Sequence, residues 1–172
     1  LVAIALVALM ITLFIAFAFR KVSQPVKSYK YGFAAILALI HDISIPTGIM
    51  AYMGMKYGTE VDLLFVSALL AILGSSVHDT IVIFDRVREN LRNKVSKSFE
   101  ETVGLSIAET FTRSINTSLT TIVTLLALYF WGGESTKTFA LILSIGVFVG
   151  TYSSICVASP ILLLMEKSQN RK

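Results

Sequence analysis

The chain has 172 residues, of which 55% are hydrophobic and only 15% charged, with a mean hydropathy of +0.75. A soluble domain carries about 25% charged residues, so a water-soluble globule is excluded in favour of a chain that crosses a membrane several times. The net charge of +4 does not point to nucleic acid, because the basic residues sit in short clusters between long uncharged runs, where a topology signal belongs.

A spanning helix needs about 20 apolar residues at about 1.5 Å each, and five stretches qualify. Segment I is residues 1–19. It has no basic leader and no cleavage site after it, so it reads poorly as a signal peptide. With its non-methionine start, the chain is expected to be a fragment or a processed product that begins inside or just before a helix. Segment II, about residues 32–55, contains His41, Asp42 and Pro46. Segment III, about 63–84, contains His78 and Asp79, and is followed directly by Asp85, Arg86, Arg88 and Glu89. These four read as interface anchors on a solvated helix end.

Between segments III and IV lies the only long loop. Within about residues 97–112, Phe99, Val103, Ile107 and Phe111 recur every fourth residue, with Lys97, Glu100 and Glu101 on other faces. The pattern predicts either an amphipathic helix on the cytoplasmic membrane surface or an upstream extension of helix IV. Segment IV, about 114–131, is rich in hydroxyls in its inner half, with Ser114, Thr117, Ser118, Thr120, Thr121 and Thr124. Such a run suits a polar helix interface or a hydrated path. Segment V lies within 138–165 and is uncharged throughout. Its Gly146 and Gly150 form a small-xxx-small pair that lets helix backbones approach, and Pro160, like Pro46, is expected to bend its helix. Cys156, the single cysteine, sits in this apolar run as a small packing residue and can form no internal disulfide.

The loops set direction. The I–II loop (Arg20, Lys21, Lys27, Lys30), the III–IV loop (Arg86, Arg88, Arg92, Lys94, Lys97) and the tail (Lys167, Arg171, Lys172) hold 12 basic residues, against two, Lys56 and Lys137, in the opposite loops. The expected architecture is therefore an all-α membrane protein of five helices, a single transmembrane domain with its start outside and its C-terminus cytoplasmic.

Function is expected where ionisable residues enter the apolar spans, because a charge at the bilayer centre costs about 2.5–3.5 kcal/mol on insertion scales. Asp79 lies five residues from the inner end of segment III, about 8 Å deep at the helical rise. Arg113 enters segment IV from the same side. A carboxylate and a guanidinium at similar depth can be a proton-relay pair, or a static ion pair that fixes helix packing. His78 adjoins Asp79 but points about 100° away. It either tunes the site or bonds a backbone carbonyl. His41 and Asp42, near the middle of segment II, read as an interhelical hydrogen bond in preference to a second member of the relay. Thr117 is a supporting hydroxyl beside Arg113. Neither His-Asp pair has the spacing for three or four metal ligands, so no metal and no cofactor are expected. No nucleophile-base pair, phosphate loop or cofactor fingerprint appears, so no enzyme is expected.

Four stretches carry a family resemblance. Gly74-Ser-Ser-Val-His-Asp-Thr-Ile-Val-Ile-Phe-Asp-Arg-Val-Arg-Glu-Asn90 is similar to the signature at the end of the fourth membrane helix of the SecF family. The segment from Glu109 through Arg113 to Thr121 resembles the stretch that follows, and Ala38-Leu-Ile-His-Asp42 and Val149-Gly-Thr-Tyr-Ser-Ser-Ile-Cys-Val-Ala-Ser159 also match. The resemblance runs in order along the chain. It implies half of a resistance-nodulation-division-like bundle in the bacterial cytoplasmic membrane, partnered by SecD. It further implies use of the proton motive force to draw preproteins outward past the SecYEG channel, with Asp79 and Arg113 in the relay and an aspartate of SecD completing it. The family usually has asparagine where this chain has His78. The family's first helix and extracytoplasmic domain have no counterpart here, in keeping with a C-terminal fragment that would not transport alone. A self-contained small proton-coupled transporter and a structural scaffold are the competing expectations.

Overall fold

The computed structural model describes Met10 and residues 28–170. Segment I, the basic residues Arg20, Lys21 and Lys27 that follow it, and the tail residues Arg171 and Lys172 lie outside the described residues. The remaining four segments are four helices long and apolar enough to cross a membrane, and among the described residues there is no strand.

Helix α1 is Ser28–Tyr57, α2 is Leu63–Arg92 and α3 is Phe99–Trp131. Helix α4, Glu134–Ser153, runs through a π-helical turn at Ser154–Ala158 into α5, Ser159–Asn170. Local chemistry marks the ends. Gly58 adopts φ +69°, a left-handed conformation open to glycine, and its N–H bonds the Gly54 carbonyl at 3.0 Å to close α1. The Asp62 carboxylate accepts from the Phe65 N–H at 2.8 Å and caps α2. Ser98 caps α3 by accepting from the Glu101 N–H at 3.1 Å, while the Glu101 carboxylate reaches back to the Lys97 N–H at 3.3 Å. Pro160 falls just beyond the π-helical turn, so the distortion expected there takes the form of a widened turn. There the Ser159 hydroxyl donates to the Ser154 carbonyl at 3.0 Å.

The stretch 97–112 is not a separate surface helix. It joins segment IV in one helix of 33 residues, about 50 Å long by its rise, longer than the roughly 30 Å hydrocarbon core. Helix α2 likewise runs eight residues past the end of segment III. The reason is packing. Val103 and Phe99 are 1% and 8% exposed, buried with Phe84 and Val87 of α2, Tyr31 of α1 and Leu162 of α5. Phe99, Val103 and Ile107 of the four-residue period therefore meet the bundle instead of lipid headgroups, while Phe111 stays exposed.

Gly146 and Gly150 seat α4 on α2. A Cβ on Gly146 would lie 2.2 Å from the Ile72 side chain, and one on Gly150 would lie 3.1 Å from the Ser76 Cβ. This is the close approach that small residues permit in lipid. Helix α3 is the edge helix. Only 17% of its most apolar stretch is buried within the chain, against 50% for α2 and 56% for α4 with its continuation.

Candidate functional site

Two polar clusters occupy the groove between α2 and α3. The first is at the basic end of the bundle, beyond the uncharged stretches of both helices. Arg86 donates from Nε to Glu109 at 2.6 Å and from Nη1 to Glu89 at 2.6 Å. Asn90 is buried and donates to Ser106 at 3.0 Å and to Glu109 at 2.8 Å. Arg86, then Asn90, holds the Glu109 carboxyl below the usual carboxylate range. Lys30 completes this end, its Nζ donating to the Met165 carbonyl at 2.5 Å. Of the four residues read as anchors, Arg86 clamps α2 to α3, while Asp85, Arg88 and Glu89 pair within α2.

The second cluster surrounds Asp79, within the apolar part of the bundle. Thr151 of α4 presents its hydroxyl to the Asp79 carboxylate at 3.2 Å, to the Val147 carbonyl at 2.9 Å and to the Ser118 hydroxyl of α3 at 2.5 Å. Three helices therefore meet at one hydroxyl, and that hydroxyl has one proton to give. If it goes to Asp79, Ser118 donates to Thr151. If it goes to Val147, Asp79 loses its donor. Asp79 also borders a cavity of about 200 Å³ whose lining includes Ser75 and His78 of α2 and Thr117, Ser118 and Thr121 of α3. A space of that size, with these polar side chains on its wall, has room for several waters.

Of the residues singled out from sequence, Asp79, His78 and Thr117 come together around this cavity. Arg113 does not pair with Asp79. It is exposed and forms no ion pair among the described residues. Its position explains this. Glu109, Arg113 and Thr117 follow one another at single-turn spacing on α3. Arg113 thus falls between the clamp, where Glu109 is already taken by Arg86, and the cavity, where Thr117 stands. The buried neighbours Ser114 and Ser118 turn to the bundle instead.

His41 and Asp42 lie apart from this cavity. Asp42 is fully buried and accepts a hydrogen bond from Ser76 of α2, and its Oδ1 lies 2.9 Å from His41 Nδ1. The interhelical hydrogen bond expected at this pair is present. Among the described residues no three His, Cys, Asp or Glu side chains converge as metal ligands.

Sequence reasoning missed Thr151 and Ser76. Both lie in stretches that carry the family resemblance, but a hydroxyl in a membrane helix normally satisfies itself on the carbonyl one turn back, as Thr120, Thr121 and Thr124 do here. The available signal was adjacency: Thr151 follows the close-packing Gly150, and Ser76 lies three residues before Asp79, on the same face of α2.

Residues 1–168 match the family described as "Protein export membrane protein SecD/SecF, C-terminal". The chain is 54% identical over 165 residues to the protein translocase subunit SecF of Thermobaculum terrenum, covering 96% of this chain and 51% of that one. It is 41% identical over 170 residues to the SecF subunit of Anaerolinea thermophila, covering 98% of this chain and 54% of that one. The chain thus spans about half the length of these relatives. The fold is similar to a crystal structure of SecDF in a super-membrane-facing form, with a TM-score of 0.82 and 38% identity over 95% of this chain and 21% of that one.

Proposed function

Because the chain belongs to the SecD/SecF family of protein-export membrane proteins, we propose that it is the membrane portion of a SecF-type subunit. In this reading it works with SecD in the bacterial cytoplasmic membrane and uses the proton motive force to promote preprotein translocation through the SecYEG translocon. Five spans cross the lipid, residues 1–19 supplying the first, with the start outside and the C-terminus cytoplasmic as the basic residues indicate. The work is proton carriage and motion, not bond chemistry, and needs neither cofactor nor nucleic acid.

One observation carries this reading: Asp79 sits on a polar cavity at a three-helix junction and shares a single hydroxyl proton with two competing acceptors. An ionised Asp79 draws the Thr151 proton to itself. A protonated Asp79 is neutral and releases Thr151 to its own helix carbonyl at Val147. Taking up or losing a proton at Asp79 therefore changes how α4 is tied to α2 and, through Ser118, to α3. Arg113, one turn from Thr117 and without an acid partner among the described residues, is the cation that answers Asp79 when the helices shift. His78 and Thr117 line the proton's path.

The test is complementation of an export defect by full-length protein carrying Asp79→Asn, with co-purification of SecD as the assembly control. Export is expected to fall to the level of the empty vector while SecD is still retained. Undiminished export would leave a structural scaffold, and activity of this chain alone in liposomes would favour a self-contained transporter.

A further inference from the structure

Asp79 is one of two acids inside the apolar bundle. The other, Asp42 on α1, has a side chain 1% exposed, while the His41 side chain beside it is 34% exposed. The pair thus links a sealed interior carboxylate to the edge of the bundle, where the His41 ring lies 6.4 Å from that of Tyr152 on α4. On its inner side Asp42 takes the Ser76 hydroxyl. Ser76 is the residue on which Gly150 packs, and the next residue on α4, Thr151, holds Asp79. The two acids therefore both bear on the Gly150–Thr151 step, Asp42 through Ser76 and Asp79 through Thr151.

Asparagine at position 42 would accept the Ser76 hydrogen bond without placing an acid in lipid. An aspartic acid costs more there and does one thing an amide cannot, which is to exchange a proton with the imidazole beside it. A proton shared by Asp42 and His41 across their 2.9 Å contact would have two neutral arrangements. In one, the carboxylic acid donates its O–H to neutral Nδ1. In the other, the proton has moved to Nδ1 and the imidazolium N–H donates to the carboxylate. Both avoid an uncompensated buried charge.

We infer that His41 and Asp42 form a second proton-binding site, coupled to Asp79 through Ser76, Gly150 and Thr151. The coupling rests on the reading of Asp79 as a proton carrier, whereas the titration of the pair does not. The titratable groups facing the pair are Tyr152 from α4 and, across Ser76 and Thr151, Asp79 from α2. The charged residues of α5, Glu166 and Lys167, lie at the basic end.

The test is infrared difference spectroscopy of the carboxylic C=O stretch during a pH titration. Full-length protein is reconstituted with SecD in lipid, and the wild type is compared with Asp42→Asn, Asp79→Asn and His41→Gln. Two titrating bands are expected, one lost with Asp42→Asn and the other with Asp79→Asn. Asp42→Asn also moves the Asp79 band, and His41→Gln moves the Asp42 band, each by about one pH unit. His41→Gln changes a half-exposed position and keeps the test valid should Asp42→Asn fail to assemble. A spectrum in which neither Asp42→Asn nor His41→Gln alters any band would overturn the second site and leave Asp79 untouched. Loss of a band with Asp42→Asn but none with Asp79→Asn would sink proton carriage at Asp79 and the coupling, while the pair's own titration stands.

Discussion

The two polar clusters in the α2–α3 groove contain the same kinds of residue and treat them in opposite ways. In the cluster at the basic end, Arg86, Glu89 and Glu109 are all answered. Arg86 has two carboxylates, and Glu109 has both Arg86 and Asn90. In the apolar part, Asp79 has a hydroxyl that other acceptors compete for, and Arg113, between the two clusters, has no acid at all among the described residues. Energetics makes the contrast informative. Pairing near water contributes little, since exposed ion pairs give roughly 0–1 kcal/mol, yet there it is complete. Within lipid an unanswered charge is expensive, yet there it is left open. The clamp is closed on itself, and the Asp79 junction is the part that the proposed function requires to change state.

Substitutions can break this comparison, and beyond Asp79 itself the largest effect is expected at Arg113. Arg113→Ala should lower proton-driven export by about ten- to hundredfold, the factor that a charge-assisted hydrogen bond of roughly 1.5–3 kcal/mol represents, while SecD still co-purifies. Next comes the seam that brings Thr151 to Asp79. Gly146→Val places new atoms on Ile72 and should destabilise the bundle by about 1–3 kcal/mol, seen as a lower melting temperature in detergent. Gly48→Ala, where a Cβ meets nothing within 4 Å, should melt unchanged. Thr151→Val removes the hydroxyl and nearly preserves shape. It should reduce export severalfold, about 1 kcal/mol for a neutral hydrogen bond, and Thr151→Ser should restore it. Arg86→Gln, at the answered cluster, should have the smallest effect, leaving both melting temperature and export within error of wild type. A large loss there would erase the distinction between the two regions.

The spans of α1 to α4 were legible in the sequence because apolar length and charge punctuation report directly on lipid. Asp79 was legible for the same reason, since an acid stands out in an uncharged run. The fate of residues 99–112 was not, because a four-residue apolar period is the same whether its face meets headgroups or Phe84 and Val87 of a neighbouring helix. Nor was the separation of Asp79 from Arg113. Depth along a helix can be counted from sequence, but the direction a side chain takes depends on which face the bundle buries, and here Ser114 and Ser118 take that face. Thr151 was hidden because only tertiary contact distinguishes a hydroxyl that bonds its own helix from one that also bonds an acid.

The central claim is that Asp79 changes protonation as export proceeds. Preprotein translocation into inverted membrane vesicles, with and without an imposed proton gradient, measures it directly for wild type and Asp79→Asn at equal SecD content. The account predicts that the gradient accelerates the wild type and leaves Asp79→Asn at its ungraded rate. Equal acceleration of both would contradict it.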